Sequence, residues 1–397
     1  MAQEWLIEFL KGTGKLFLHP LFYYYFIIAA ILGVSRVKRE RKNFHVRAEN
    51  AYFELRQLLP LGMIIGLCLS FISIVAGLVI PIETILFTAA FTFLWSLTTK
   101  IRWMAPAYTL GFAFFVTIFA VEQQWPLPSF FTSVANSEQT VFPAIAVLLA
   151  LLIVGEGLLI FKNGRKGTSP KLIKSKRGQT VGVHEVKRIW IIPMFLVIPG
   201  EALPSPFEWW PMFSLAGESY SIILVPFAIG FYKQIQGMLP IEAMKKTGKR
   251  VMELGIVITL LSISGYWSPL ASIAVVTLAI IGRELITLKQ RLNEENLPFY
   301  FSKKNQGVLI LGIIPESPAS HMGLQIGELI TKVNGIKVFD KKDFYEALLK
   351  NRAHCKLEVL DVNGEIRFVQ RALFEGDHHE LGILFVQDDR KQGNEAV

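Results

Sequence analysis

Two His-Glu pairs have the residue types that could hold a metal ion and activate water. A zinc peptidase inside a membrane needs the pattern His-Glu-x-x-His, because two histidines one helical turn apart bind the ion and the glutamate activates water. His184-Glu185 continues as Val-Lys-Arg and His379-Glu380 continues as Leu-Gly-Ile, so both pairs lack the second histidine. We therefore expect no metal site, and we expect both pairs to be solvated residues of polar loops.

Serine- and glycine-containing segments are the next candidates for chemistry. An intramembrane serine peptidase needs a Gly-x-Ser-Gly helix with a histidine on a neighbouring helix. The nearest fragment is Ser262-Ile-Ser264-Gly265, and only His19 lies in a predicted span, at its edge. Such small residues more often let membrane helices pack closely. Residues 164–178 lack the Gly-Lys-Ser/Thr spacing of a phosphate loop. We expect no catalytic residue, no cofactor and no enzyme activity.

Ionisable residues inside apolar segments would indicate transport, which usually needs charged or unwound sites at mid-membrane. Glu156 lies between two glycines near one end of its apolar segment, and Glu253 stands near the predicted start of another. An acid at a helix start is tolerated by the helix dipole. We interpret both as interfacial or packing residues, and a transporter remains the less favoured alternative.

The composition requires elements that a membrane would cover. Of the 397 residues 52% are hydrophobic, and the mean hydropathy is +0.42. A membrane-spanning helix needs about 17–25 mostly apolar residues, and the pattern predicts about eight or nine of them. The predicted spans are 16–34, 58–79, 83–98, 103–121, 141–161, 189–203, 214–232, 251–266 and 268–282. Cys68 and Cys355 fall in different regions, so we expect no disulfide between them.

The basic residues alternate between loops. The loops 36–56, 162–188, 233–250 and 283–296 are rich in lysine and arginine, whereas 80–82, 122–140 and 204–213 contain none. Basic loops stay in the cytoplasm, which places the C-terminal region inside. The N-terminus would then lie outside, unless its first residues form an amphipathic helix on the membrane surface and the count is eight. Topology thus accounts for the net charge of +9, and we expect no nucleic-acid partner.

From about residue 297 the pattern changes to short strands separated by turn residues. The segment GVLILGIIPESPASHMGLQIGELITKVNG, 307–335, resembles the most recognisable stretch of a PDZ domain. In it Ser317-Pro318 would start a short helix, and Asn334-Gly335 would close a hairpin. The fold class is therefore predicted as a polytopic α-helical membrane bundle followed by a small α+β PDZ-like domain. We place the membrane domain at 1–290 and the cytoplasmic PDZ domain at 297–390.

A PDZ domain binds an extended peptide as an added strand and holds its carboxylate in a backbone nest. The nest normally resembles Gly-Leu-Gly-Phe, and no such loop precedes residue 307. Either the domain is circularly permuted, with a later strand lining the groove, or the groove lacks a proper carboxylate loop. The peptide-binding candidates that follow from the resemblance are Leu381, Gly382, Ile383, Leu384 and Phe385 on that later segment, and Lys341, Tyr345 and Leu349 on helix 341–350.

A many-span membrane domain followed by one PDZ domain, with the opening WLIEFLKGTGKLFLHPLFYY, resembles the MinJ family. That resemblance implies a scaffold of bacterial cell division in the cell membrane, enriched at septa and poles. It implies that DivIVA and MinC–MinD are partners, along with other divisome membrane proteins, a second copy and the lipid bilayer. A membrane protease or protease adaptor carrying a PDZ domain remains the alternative.

Overall fold

The computed structural model describes residues 2–123, 141–204, 210–211, 219–351, 354–372 and 381–386. His379 and Glu380, and most of the loops 122–140 and 204–213, lie outside these ranges. The N-terminal domain contains α1 (Ala2–Leu18), α2 (Pro20–Phe44), α3 (Phe53–Gln57), α4 (Pro60–Val75), α5 (Ile82–Leu97), α6 (Pro106–Glu122), α7 (Val141–Lys162), β1 (Ser169–Lys174), β2 (Thr180–Pro204), β3 (Ser219–Ile235), α8 (Pro240–Ser262) and α9 (Pro269–Asn296). The C-terminal domain contains β4 (Val308–Ile313), α10 (Pro318–His321), β5 (Leu329–Val333), β6 (Ile336–Lys337), α11 (Lys341–Leu349), β7 (His354–Leu360), β8 (Ile366–Ala372) and β9 (Ile383–Phe385).

Candidate membrane spans are found throughout the N-terminal domain. Among the described residues, 4 helical segments are long and apolar enough to cross a membrane, namely Pro20–Phe44, Phe53–Val75, Val141–Lys162 and Pro269–Asn296. Helices α5 and α6 are apolar but shorter. These helices correspond to predicted segments, so four candidate membrane spans are found where spans were predicted, whereas a total of eight or nine helical spans is not.

The first predicted span, 16–34, is interrupted. Helix α1 ends at Leu18 and α2 begins at Pro20, where proline suits the first helical turn. Helix α1 packs along β3. The approach is close, since a Cβ on Gly12 would lie only 3.0 Å from the Ile222 carbonyl oxygen. The ring of Trp5 lies 5.9 Å from that of Trp210. One side of α1 is therefore held by the N-terminal domain, while the side carrying Leu6 and Leu10 is exposed.

The predicted helices at 189–203 and 214–232 are wrong. Residues 189–203 belong to β2 and the described residues 219–232 belong to β3, and the two strands form a long antiparallel hairpin with Pro193 opposite Pro226. Hydropathy alone does not separate an apolar helix from an apolar strand. Pro193 and Pro199 would each break a helix, and the surrounding valine, isoleucine and phenylalanine residues favour extended backbone. The sheet order in this domain is β1-β2-β3.

Helix α4 completes the hydrogen bonding along one edge of β2. Four residues of helix rise about 6 Å and two residues of strand rise about 6.6 Å, so every helical turn can meet every second strand residue. The carbonyl of Leu58 accepts a hydrogen bond from the Ile191 N–H at 2.9 Å, and Ser70 Oγ accepts one from the Phe195 N–H at 2.8 Å. Between them Pro193 has no N–H to satisfy.

Glycine lets this helix lie directly on the strand. A Cβ on Gly62 would lie 1.9 Å from the Ile191 carbonyl oxygen, and one on Gly66 would lie 2.1 Å from the Pro193 carbonyl oxygen. Further along, the Ile80 N–H donates to the Val197 carbonyl at 2.9 Å. A strand among apolar helices is stable only when its backbone groups find partners in the protein, and these contacts supply them.

Helix α7 forms the centre of the N-terminal domain and is buried on all sides. Its packing against α8 is close, since a Cβ on Gly157 would lie 2.5 Å from the Met252 nitrogen. Glu156 is fully buried, and its Oε1 accepts a hydrogen bond from Arg283 Nη2 on α9 at 2.7 Å. Glu253 lies in the middle of α8 rather than at its start, and it is exposed.

The C-terminal domain has the predicted strand and helix order. Its described residues form a 6-stranded sheet in the order β8-β7-β5-β4-β9, with β6 paired to β5. Ser317 Oγ accepts from the Ser320 N–H at the start of α10, and an Asp340 carboxylate oxygen accepts from the Asp343 N–H at the start of α11. Asn334 and Gly335 have φ values of 51° and 84°, as a tight hairpin turn requires.

Candidate functional site

The groove predicted for a peptide lies between β9 and α11. Strand β9 pairs antiparallel with β4, placing Ile383 opposite Ile313 and Phe385 opposite Ile310. Within the described sheet β9 stands at the end of the strand order. Helix α11 packs beside it, with the rings of Phe344 and Phe385 5.1 Å apart. The structure therefore brings together the two predicted segments, and the late strand occupies the place that a permuted domain requires.

The β9 side of the groove presents backbone rather than side chains. Leu381, Ile383 and Phe385 are buried in the core of the C-terminal domain. Leu384 points the other way and packs in a cluster facing the N-terminal domain. Because these four side chains are buried, the residues can offer a ligand only their N–H and C=O groups.

The loop around Gly382 has the shape of a backbone nest. Its φ is 80°, and its carbonyl accepts from the Ile314 N–H at 2.8 Å, while the Leu381 carbonyl accepts from the Ala319 N–H at 2.9 Å. In a trans peptide the N–H points away from the C=O, so the N–H of Gly382 faces away from α10 and the N–H of Ile383 faces away from Ile314. Successive N–H groups beside a left-handed residue form an anion-binding concavity.

The α11 side of the groove presents side chains. Lys341, Tyr345 and Leu349 are four residues apart and share one face of the helix. Lys341 Nζ lies 5.8 Å from the centre of the Tyr345 ring, Tyr345 is half-buried, and Leu349 is 50% exposed. Phe344, Ala347 and Leu348 are buried in the core, as predicted.

Glu328 caps the turn that leads into β5. Its Oε2 accepts from the Gln325 N–H at 2.8 Å and from Arg367 Nη2 at 2.7 Å. The side chain therefore caps the turn and also ties it to β8.

One face of the C-terminal sheet packs on the N-terminal domain. Leu309, Leu311 and Leu384 form a buried cluster with Phe44 and Phe301. Two backbone contacts fix the arrangement: the Gly182 N–H donates to the Phe301 carbonyl at 2.8 Å, and the Tyr300 N–H donates to the Gln236 carbonyl at 2.8 Å. We call this contact the docking interface.

The expectation that His184 and Glu185 are solvated is wrong, because docking and the β1–β2 pairing bury both. His184 Nε2 lies 2.9 Å from the Leu311 carbonyl oxygen and Nδ1 lies 2.9 Å from Thr168 Oγ1. A carbonyl can only accept, so Nε2 carries the proton and Nδ1 accepts from the hydroxyl. Burial lowers the pKa of His184 to about 4, so the imidazole is neutral at pH 7.

Glu185 faces a different set of residues from its neighbour. Its carboxylate forms ion pairs with Arg39 of α2 and, at 3.0 Å, with Lys171 of β1. Arg36, one helical turn earlier in α2, is also buried and pairs with Glu54 at 3.1 Å. Sequence reasoning assigned these basic residues to topology alone and did not detect that they tie α2 to α3 and to β2.

The remaining chemical candidates have structural partners. Ser262 Oγ donates to the Ile258 carbonyl and Ser264 Oγ to the Leu261 carbonyl, which leaves each hydroxyl bonded to its own helix. His19 lies beside Tyr25 and Thr88, away from both serines. Among the described residues, no group of three or more His, Cys, Asp or Glu side chains could hold a metal ion.

Comparisons with known proteins identify both domains. The PDZ domain family matches residues 309–361. Over its whole length the chain is 44% identical to the cell division topological determinant MinJ of Bacillus subtilis (strain 168), with 100% of this chain and 99% of the relative covered. The chain belongs to the MinJ family. A probable MinJ of Lacticaseibacillus paracasei is 24% identical over 90% of this chain and 92% of its own.

Similarity to proteases is confined to a short part of the chain. The mitochondrial serine protease HTRA2 of Drosophila ananassae is 36% identical over 76 residues, which is 19% of this chain and 17% of the protease. A MinJ family member is described as a topological determinant of cell division, and the protease likeness extends only to the PDZ domain. The fold predicted for the C-terminal domain and the predicted family are confirmed.

Proposed function

We propose that this MinJ family protein is a non-enzymatic scaffold that positions the cell-division machinery at septa and poles. It bridges a DivIVA-like polar scaffold and MinC–MinD, which restricts division to midcell. The observation that supports this proposal most is that β9 and α11 lie side by side on a domain that is docked on the N-terminal domain through its opposite sheet face. A groove held in this way suits recruitment of a partner to the membrane.

In this proposal the PDZ groove takes an extended peptide as an added strand on β9. The N–H groups of Gly382 and Ile383 bind its terminal carboxylate, and the backbone of Phe385 pairs with it. Leu384 pairs with Gly312 of β4 behind them, and Leu381 supports the loop from the core. Lys341, Tyr345 and Leu349 select its side chains.

The topology of the proposal is that of a multi-pass protein of the bacterial cell membrane. Residues 1–290 form the membrane domain, and residues 297–390 form a PDZ domain on the cytoplasmic side. Helices of the membrane domain bind other divisome membrane proteins and a second copy. Arg36 and Arg188 are buried, so their charges are not available to an external nucleic acid. This supports the expectation of no nucleic-acid partner.

The groove is tested with a substitution on α11. Leu349→Asp places a charge on an exposed, apolar position of the groove, so the affinity for partner peptide should fall by about tenfold or more while the fold is retained. Lys350→Asp, one residue further and also exposed, is the matched control. Binding is measured by titration of the full-length protein in nanodiscs. Equal affinities for both variants would remove α11 from the site.

Gly382→Trp, the obvious alternative, is not a clean test. A Cβ at this position would lie 2.2 Å from the Ser317 Cβ, and the φ of 80° disfavours a side chain. The variant would therefore disturb the fold of the domain as well as the groove.

The cellular role is tested with a fluorescent fusion in cells with and without DivIVA. Enrichment at septa and poles that depends on DivIVA is the expected result. The Leu349→Asp fusion then shows whether the groove carries that dependence. Uniform membrane fluorescence in both strains would contradict the division role, and cleavage of a membrane substrate abolished by one substitution would contradict the non-enzymatic role.

A further inference from the structure

The outer face of the C-terminal sheet carries an apolar row that extends beyond the docking interface. Cross-strand neighbours share one face of a sheet, and the pairings place Leu309, Leu329, Leu360 and Ile366 side by side on β4, β5, β7 and β8. Leu309 and Leu329 are buried in the docking interface. Leu360 is half-buried, and Ile366 is 61% exposed. The apolar row therefore extends past the part of the sheet that the N-terminal domain covers.

A second row on the same face adds an aromatic ring and positive charge. Phe368 is 66% exposed and lies opposite Glu358, which in turn lies opposite Lys332. Lys356 Nζ stands 5.6 Å from the centre of the Phe368 ring, and Lys337 lies opposite Lys332.

The charge around Phe368 is positive overall. Glu358 is the acid among these paired positions, while Lys332, Lys337 and Lys356 are basic. Two further acids, Asp361 and Glu365, lie beyond Ile366 in the β7–β8 turn. We call Ile366, Phe368 and the three lysines the outer strip.

The docking interface includes the C-terminal end of α2, which continues past the predicted span 16–34. Phe44, the last residue of α2, is one of the residues on which the sheet packs. Next to it Arg41 and Lys42 are exposed, as expected where a span meets lipid headgroups. The strip belongs to the same sheet face as the docking interface, so it faces the same side of the domain.

We propose that the outer strip docks on the anionic lipid surface beside the N-terminal domain. Ile366 and Phe368 enter the interfacial layer, and Lys337 and Lys356 contact acidic headgroups, while Lys332 neutralises Glu358 at 2.9 Å. Aromatic and aliphatic residues combined with lysine are the side chains that such a surface attracts. An apolar sheet face beside a membrane span would otherwise stay in water. This inference rests on the proposed membrane placement of the domain and not on its peptide ligand.

The test uses the full-length protein in single-copy nanodiscs with a fluorophore on one cysteine. Cys68 is exposed and is replaced by serine, whereas Cys355 is buried and burial raises its thiol pKa to about 12, so it stays unlabelled. Gln370→Cys reports from the outer face without removing either apolar residue. Leu349→Cys, on the helix that covers the other face, is the matched control.

Headgroup-labelled nitroxide lipid should quench the Gln370→Cys label about twofold or more strongly than the Leu349→Cys label. The difference should grow when phosphatidylglycerol is added to phosphatidylcholine, and it should disappear with Ile366→Ser and Phe368→Ser. Equal quenching at the two positions overturns the proposal, and so does an absent effect of phosphatidylglycerol. A signal that requires two copies in one disc overturns it in favour of self-association. Peptide titration of the Gln370→Cys sample, whose groove residues are unchanged, reads the groove separately.

Discussion

The imidazole of His184 connects the two domains through Nε2, which donates to the Leu311 carbonyl, while Nδ1 accepts from Thr168 within the N-terminal domain. The ring of Phe301 lies 5.0 Å away. Protonation would place a second donor on Nδ1, where the Thr168 hydroxyl now donates, and would bury a charge. The neutral form is therefore required for docking.

Docking should weaken at acid pH for this reason. The pKa of His184 is about 4 when docked and about 6.5 when solvated, so the undocked state binds more protons between these values. The stabilisation is fully present above about pH 6.5, and about 2 kcal/mol of it is lost by pH 5. Hydrogen exchange of residues 308–313, corrected for intrinsic rates, should rise between pH 7 and pH 5.

Two variants distinguish the contribution of His184 to this pH dependence from that of another histidine. His184→Gln should remove most of this pH dependence, although it will itself weaken docking. His321→Gln, in α10 of the C-terminal domain, should leave the dependence unchanged. A pH dependence that persists in His184→Gln would assign it to another group.

The buried pair of Glu156 and Arg283 gives a second prediction for single residues. Glu156→Leu leaves the guanidinium buried without its partner, so the free energy of unfolding should fall by about 3–5 kcal/mol. The double variant Glu156→Leu, Arg283→Met removes both charges and should recover part of that loss. Thermal unfolding in detergent measures both changes. Substrate flux in liposomes that depends on Glu156 would instead indicate transport.

At the scale of elements, α4 is matched to β2 by its small residues. Gly66→Ala would push a Cβ into the Pro193 carbonyl, so α4 must move away and the Phe195 N–H loses Ser70. The expected loss is about 2 kcal/mol or more, from the unsatisfied N–H together with lost packing. Gly14→Ala in α1, where a Cβ meets nothing within 4 Å, is the control and should be neutral or stabilising. Equal melting temperatures of the two variants would show that α4 does not need this contact.

The C-terminal elements were predictable because each carries local turn chemistry. Ser317-Pro318, Asn334-Gly335 and Asp340 fix helix starts and a hairpin through contacts with residues close by in the sequence. The hairpin β2–β3 was not predictable, because its apolar residues are equally typical of a membrane-spanning helix. The partners along its edge also lie on a helix that is distant in the sequence. Pro193 and Pro199 were the available signal.

At the scale of the whole molecule, the docking interface joins residues far apart in sequence. His184 and Leu311 come into contact only in the folded chain, and no local sequence pattern predicts such a contact. The sequence could therefore predict the groove segments, and it could not predict which sheet face would be covered.

One substitution in the docking interface should separate the C-terminal domain from the N-terminal domain. A Cβ on Gly182 would lie 2.5 Å from Leu311 Cδ1, so Gly182→Val should separate the two domains. Cleavage by a protease between residues 297 and 307 should become about tenfold faster, in proportion to the open population. Gln179→Val, at an exposed position near the start of β2, is the control. Unchanged cleavage in Gly182→Val would show that the other contacts alone hold the interface.

The edges of the β2–β3 hairpin have a consequence for how the protein is made. Helix α1 lies along β3 and α4 along β2, and both helices precede the hairpin in the chain. During synthesis they leave the ribosome first. The hairpin therefore reaches the bilayer when the helices that pack along its two edges are already present. Moving α4 to the end of the chain by circular permutation would remove that order and expose the strands to lipid during insertion.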